Sequence, residues 1–170
     1  MRFALENPEI PKALIIADIS LGKYPRRHHH LDMIDAMLSV DLENAQTREE
    51  IEEWLKPRIR EERVRQFAMK NLYRRQRGGQ FAWRLNLEAI NQGMEEIIEG
   101  VTSATAFKKP ALFVRGGNSD YVKYEDFDTI YRNFPNADIK TIEGASHWIH
   151  ADKPAEFFET VNSFLKENEL

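Results

Sequence analysis

The sequence predicts an α/β fold: a parallel sheet of about three strands, flanked by helices and interrupted by a long helical insertion. Three observations predict it. Two short, continuous apolar runs, Ala13-Leu14-Ile15-Ile16-Ala17 and Ala111-Leu112-Phe113-Val114, have the length and composition of strands buried on both faces. Between them lies a charged stretch whose apolar residues recur at helical spacing. After the second run, helix and strand patterns alternate to the end of the chain.

The elements follow in order. Met1 to Glu6 reads as the last turns of a helix, stopped by Asn7-Pro8. No N-cap precedes it, as in a helix whose front is missing, so the chain is expected to be truncated. The first strand ends in Asp18-Ile19-Ser20 and passes into a loop with Gly22 and Pro25. From about Arg27 to Gly100 the pattern is helical: Leu31, Ile34, Met37 and Leu38; then Ile51, Trp54, Leu55 and Ile59; then Val64, Phe67, Ala68 and Leu72; then Glu88 to Ile98. No strand is expected there, and Gly78-Gly79 is read as a turn between helices. The second strand leads into Arg115-Gly116-Gly117-Asn118-Ser119-Asp120, and a helix is expected from about Tyr124 to Asn133. A third strand, about Asp138 to Ile142, ends in Glu143-Gly144-Ala145-Ser146-His147. Asp152 as N-cap and Pro154 in the first turn open a final helix, with Phe157, Phe158, Val161, Phe164 and Leu165 on one face. The expected division is a core of residues 1–26 and 101–170 with an insertion at 27–100.

Bulk properties narrow the function. A chain of 170 residues suits one domain with a sizeable core. A net charge of −4 gives no field built to attract nucleic acid, so no nucleic-acid partner is expected. The absence of cysteine rules out disulfides and thiolate metal sites. No stretch approaches the roughly 20 apolar residues of a membrane span, and the opening residues lack the features of a signal peptide. No membrane partner is expected, and the cytoplasm is the default location.

In α/β sheets, ligands gather beyond the carboxyl ends of the strands. Asp18, Ser119, Asp120 and His147 all fall there. His147 follows a strand directly, where an imidazole can act as general base; a satisfied surface histidine fits the same position. Asp18 could orient that imidazole, and Asp120 offers a second carboxylate; either could equally be an ordinary loop aspartate.

Two segments carry a specific likeness. Ala111 to Ser119, reading ALFVRGGNS, and Gly144 to Pro154, reading GASHWIHADKP, resemble the closing half of α/β-hydrolases, in particular a bacterial serine esterase branch. Leu14 to Ser20, and the stretch from Asn71-Leu72-Tyr73 to Trp83-Arg84-Leu85-Asn86, resemble the same branch. The resemblance implies a partial α/β-hydrolase fold with residues 27–100 as a helical cap. It implies hydrolysis of a small-molecule acyl ester or thioester by a Ser-His-Asp mechanism, with His147 as the base. Most of the superfamily carries its acid after the strand that Leu112 to Arg115 represents. Ser119 stands at that place here and Asp120 one residue later, whereas the resembling branch carries the acid after the earlier strand, at Asp18. Asp18 is preferred, and Asp120 stays open. The family nucleophile sits in a G-x-S-x-G elbow. No such motif occurs, and Ser103, Ser119 and Ser146 lack the flanking glycine pair. The chain alone is therefore expected to be inactive. The alternative is a non-catalytic module that binds partners or forms a homo-oligomer through an exposed sheet edge.

The remaining features read as structural. His28-His29-His30 is expected to be a solvated helix start, because consecutive helical residues point in different directions. His147, His150 and Asp152 have loose metal-ligand spacing without a further ligand, so no metal and no other cofactor is expected. Arg74, Arg75 and Arg77 read as a solvated turn, and Met33, Met37, Met69 and Met94 as packing residues.

Overall fold

A computed structural model describes the chain apart from Arg26, Arg27 and Arg77 and the side chains of His28, His29, His30 and Leu31. The expected solvated start at His28-His29-His30 and the Arg77 member of the basic turn lie outside the described residues, as does the boundary expected between residues 26 and 27. The chain divides into two compact units: Met1–Lys23 with Gly100–Leu170, and Tyr24–Glu99.

The first unit opens with α1 (Arg2–Glu6), which ends at Asn7, and then β1 (Leu14–Ala17). The second unit contributes α2 (His28–Leu38), α3 (Arg48–Leu55), α4 (Glu62–Lys70), β2 (Leu72–Arg74), β3 (Phe81–Trp83), α5 (Leu87–Gln92) and α6 (Met94–Ile98). The first unit resumes with β4 (Ala111–Gly116), a 3-10 turn (Tyr124–Asp126), α7 (Phe127–Asn133), β5 (Ala137–Ile142), α8 (Ile149–Asp152) and α9 (Pro154–Glu167).

The first unit's sheet has the order β1-β4-β5, all parallel, with Ile16 beside Phe113 and Phe113 beside Ile139. It is the expected three-stranded parallel sheet with helical flanks. Every residue of β4 is buried, which is why its sequence is a continuous apolar run and not an alternating one. Successive side chains still serve opposite faces. Phe113 joins Leu5, Ile16, Phe107, Val122, Ile130 and Phe134 on one side. Leu112 and Val114 join Ile142, Ala145, Ile149 and Phe164 on the other. Phe134 meets the Phe113 ring edge-on at 5.3 Å and lies 6.2 Å from Phe107, and burying each such ring stabilises by about 1.5–3 kcal/mol. Arg115 continues β4 into the same buried setting, its guanidinium 4.6 Å from the centre of the Tyr124 ring.

The last helix departs from expectation in two ways. Its N-cap is Lys153, with Pro154 at the first helical position. Asp152 belongs to α8, and its carboxylate turns back to accept from the Ser146 N–H and hydroxyl. Phe158 is 68% exposed, so it is not part of the packed face that Phe164 completes.

In the second unit, Ala36, Met37, Ile51, Leu55, Ala68 and Met69 pack together with Leu72, Phe81 and Leu87. The buried Met37, Met69 and Met94 are packing residues. A capping box joins Thr47 and Glu50 and satisfies the front of α3. The expectation of an all-helical insertion fails at one place. Strands β2 and β3 form an antiparallel hairpin, pairing Leu72 with Trp83 and Arg74 with Phe81. The Gly78-Gly79 turn therefore links strands and not helices, with Gly78 at φ +76°. Arg74 does more than line a solvated turn: it donates to the carbonyls of Gly79 and Gln46 and lies 4.0 Å over the Phe81 ring. Gly93 splits the stretch read as one helix into α5 and α6. Among the described residues, no helix is long and apolar enough to cross a membrane.

Candidate active site

The three strands of the first unit end close together, and the polar residues just beyond them build one cluster. Asp18 follows β1, and its N–H still donates to Val114 across the sheet at 2.8 Å. There the chain turns with Asp18 at φ +48°, a left-handed conformation that aspartate tolerates better than most residues. The turn sends the carboxylate inward, where its side chain is 0% exposed.

Three donors converge on that carboxylate. The Gly116 N–H, at the end of β4, donates to Oδ1 at 2.9 Å. The Ser119 hydroxyl donates to Oδ2. His147 Nδ1, beyond β5, lies 2.8 Å from the same oxygen. The carboxylate acts as acceptor in all three, so Nδ1 carries the hydrogen, and in the neutral ring the lone pair is on Nε2. A buried carboxylate is costly unless hydrogen-bonded, and these donors meet that need.

The His147 loop is tied down on several sides. Gly117 donates to the Ile142 carbonyl and Asn118 to the Ala145 carbonyl, each at 2.9 Å. Gly144 makes the bend at φ +74°. Asp152 accepts from both donors of Ser146, its N–H and its hydroxyl, next to His147. The Tyr121 ring stacks on the imidazole, with centres 3.8 Å apart and planes at 18°. The His147 side chain is nevertheless 41% exposed, so a reacting group can reach it.

The structure thus brings Asp18 and His147 together. Asp120 is exposed, and the carboxylate on the imidazole belongs to Asp18. Ser119 sits beside Asp18 as its donor. Sequence reasoning placed Ser119 at a strand end and at the usual acid position but not as a donor to Asp18, and it missed Gly116, Tyr121 and the Ser146–Asp152 clamp. The available signal was the strand-end loop after β4, which supplies Gly116, Ser119 and Tyr121 within six residues. Among the described residues, no group of three or more His, Cys, Asp or Glu side chains could hold a metal ion. An open cleft of about 360 Å³ lies within the second unit among Leu38, Phe81, Trp83 and Leu87, and none of the candidate residues lines it.

A hydrogen-bonded carboxylate beside a solvent-reachable imidazole is an arrangement that can serve general acid–base chemistry. Known proteins with similar sequences extend the picture. No protein-family model matches the chain. It is 36% identical, over 98% of its length and 53% of the relative's, to the sn-1-specific diacylglycerol lipase ABHD11 of Danio rerio. It is 32% identical, over 96% of its length and 61% of the relative's, to Esterase YbfF of Escherichia coli. Among solved structures it superimposes on a marine microorganism esterase with a TM-score of 0.89 and 37% identity, covering 96% of this chain and 64% of that one. The chain spans about half the length of the ABHD11 relatives it matches.

Proposed function

We propose, since the chain belongs to the α/β-hydrolase superfamily, that it supplies the histidine and the acid of a Ser-His-Asp hydrolase of small acyl esters or thioesters. The observation that carries this reading is the 2.8 Å contact between His147 Nδ1 and the buried Asp18 carboxylate. The names of its relatives, a lipase and esterases, agree with it. The nucleophilic serine must come from outside these 170 residues, which contain no G-x-S-x-G sequence. Residues 24–99 would then be the cap insertion.

The proposed steps follow from the geometry. The serine oxygen attacks the acyl carbonyl while its proton passes to His147 Nε2. Asp18 stabilises the resulting imidazolium through Nδ1–H. The tetrahedral intermediate collapses, and His147 returns the proton to the departing alcohol or thiol. Water, deprotonated by the same nitrogen, then attacks the acyl-enzyme, and His147 passes that proton to the departing serine oxygen as the acid is freed.

The 170-residue chain is expected not to react with a fluorophosphonate probe, because its described triad members include no activated serine. Mass spectrometry after labelling tests this, and specific adduct formation on any of its serines would overturn the assignment of the nucleophile. Reading the coding frame upstream of Met1 is the complementary test, with a G-x-S-x-G sequence expected there.

One observation favours a second, non-catalytic reading. Among the described residues β1 has a strand neighbour on one side only, and Ile15 and Ile19 are each 41% exposed. An open strand edge pairs readily with another chain. Under this reading the chain self-associates, and light scattering at micromolar concentration should give a mass above the 19.9 kDa of one copy. A clean monomer would exclude it.

A further inference from the structure

We infer that Tyr121 is a positioning residue for His147: its stacked ring sets the plane of the imidazole and so aims Nε2 at the reacting group. The inference rests on the reading of His147 as the general base.

A single hydrogen bond does not fix a ring. The contact from Nδ1 to Asp18 holds one atom of the imidazole at 2.8 Å, but a hydrogen bond tolerates small changes of angle and leaves the ring room to tilt about its Cβ–Cγ bond. Any such tilt displaces Nε2, the atom that must meet the reacting group. The loss matters because the side chain is 41% exposed and is not gripped by a closed pocket. The Tyr121 ring, 3.8 Å away at 18°, removes that freedom by covering one face. An aromatic face also favours a cation above it, so the same contact gains strength when His147 becomes imidazolium.

Tyr121 is itself held. Its N–H lies 3.3 Å from the Ser119 hydroxyl oxygen, and that same hydroxyl donates to Asp18. The next residue, Val122, is 1% exposed in the core beside Phe113 and Ile130. One short loop therefore fixes the acid's donor and the imidazole's stacking partner in a common frame. A half-buried tyrosine that only filled space would not need a near-parallel stack on the one exposed imidazole of this cluster.

The test uses Tyr121→Leu and Tyr121→Phe. In the 170-residue chain, the His147 ring protons should resonate upfield, shielded by the tyrosine ring. Tyr121→Leu should move them downfield, and Tyr121→Phe should keep them in place, with the remaining amide spectrum unchanged in both. In the longer polypeptide carrying the serine, Tyr121→Leu should lower kcat by about 3- to 10-fold with KM held, and Tyr121→Phe should restore it. Unmoved ring protons in Tyr121→Leu would overturn the stack. Moved protons with unchanged kcat would overturn the positioning role. Absence of ester hydrolysis in the unsubstituted longer polypeptide would instead sink the parent reading, and the positioning role with it.

Discussion

In the longer polypeptide proposed to carry the serine, Asp18→Asn is expected to lower kcat/KM for ester hydrolysis by about 10³- to 10⁴-fold while leaving the fold in place. The asparagine keeps a carbonyl oxygen for the Gly116 N–H, which now donates to Oδ1. It then presents an NH₂ group toward His147, where Oδ2 now accepts. Two donors cannot face each other, so the imidazole must move its hydrogen to Nε2. That nitrogen can no longer take the serine proton. Asparagine also tolerates the left-handed turn at φ +48°, so the unfolding midpoint should shift little. Kinetics on a short-chain ester together with thermal unfolding check both halves. Asp120→Asn is the control and should retain activity, since Asp120 is exposed and the imidazole contact is made by Asp18. If Asp120→Asn abolished turnover and Asp18→Asn did not, the acid would have been wrongly assigned.

Gly116→Ala should be nearly as damaging, by a different route. A methyl group built there would lie 2.5 Å from the Ser146 carbonyl oxygen and 2.6 Å from that of Ala145. Both are backbone atoms and cannot rotate away. The loop they belong to is pinned by the Asn118 and Gly117 N–H groups and by Asp152. Either β4 or the His147 loop must shift. Overpacking of this kind costs about 1–3 kcal/mol. A displacement of His147 by about 1 Å costs on the order of 10²-fold in turnover. Gly117→Ala provides the milder contrast: the Glu143 Oε2 atom at 2.7 Å is the end of a side chain that can swing aside, and the backbone atoms there, Glu143 Cα and Gly144 N, stand farther off at 3.1 and 3.3 Å. Chemical denaturation of the two 170-residue variants, and ester kinetics on the same variants of the longer polypeptide carrying the serine, should therefore separate, with Gly116→Ala worse in both. Equal effects would mean that the loop yields more easily than its hydrogen bonds indicate.

Much of the architecture was legible because buried parallel strands leave an unbroken apolar run. Ala111 to Val114 and Leu14 to Ala17 could hardly be read otherwise. The hairpin in the second unit left no such trace. Leu72-Tyr73-Arg74 and Phe81-Ala82-Trp83 are three residues each, too short for a period-2 pattern to stand out from the helical spacing around them. Asp152 misled for a local reason. An aspartate before Lys-Pro has the pattern of an N-cap, and only the fold of the preceding loop shows its carboxylate reaching Ser146.

The site was half legible. A histidine and several carboxylates at strand ends could be named, but Asp18 was preferred over Asp120 only through the family resemblance, with Asp120 left open. The choice depends on a contact between residues 129 positions apart, which periodicity does not encode. Tyr121 was invisible for a related reason, since its role lies in the angle between two rings.

That long separation has a kinetic side. The pairing of β4 with β5 closes a short segment of chain, Ala111 to Ala137, whereas Gly116 and Asp18 are 98 positions apart. Loop-closure entropy makes the second contact more costly by about 1 kcal/mol if the intervening chain is disordered. The β4–β5 pair is thus favoured to form early and to wait for β1, and with it Asp18. Prior folding of residues 24–99 would shorten the effective tether. Substitutions that slow the collapse of Ile51, Leu55 and Phe81 would then delay assembly of the histidine–aspartate pair, although none of these residues belongs to that cluster.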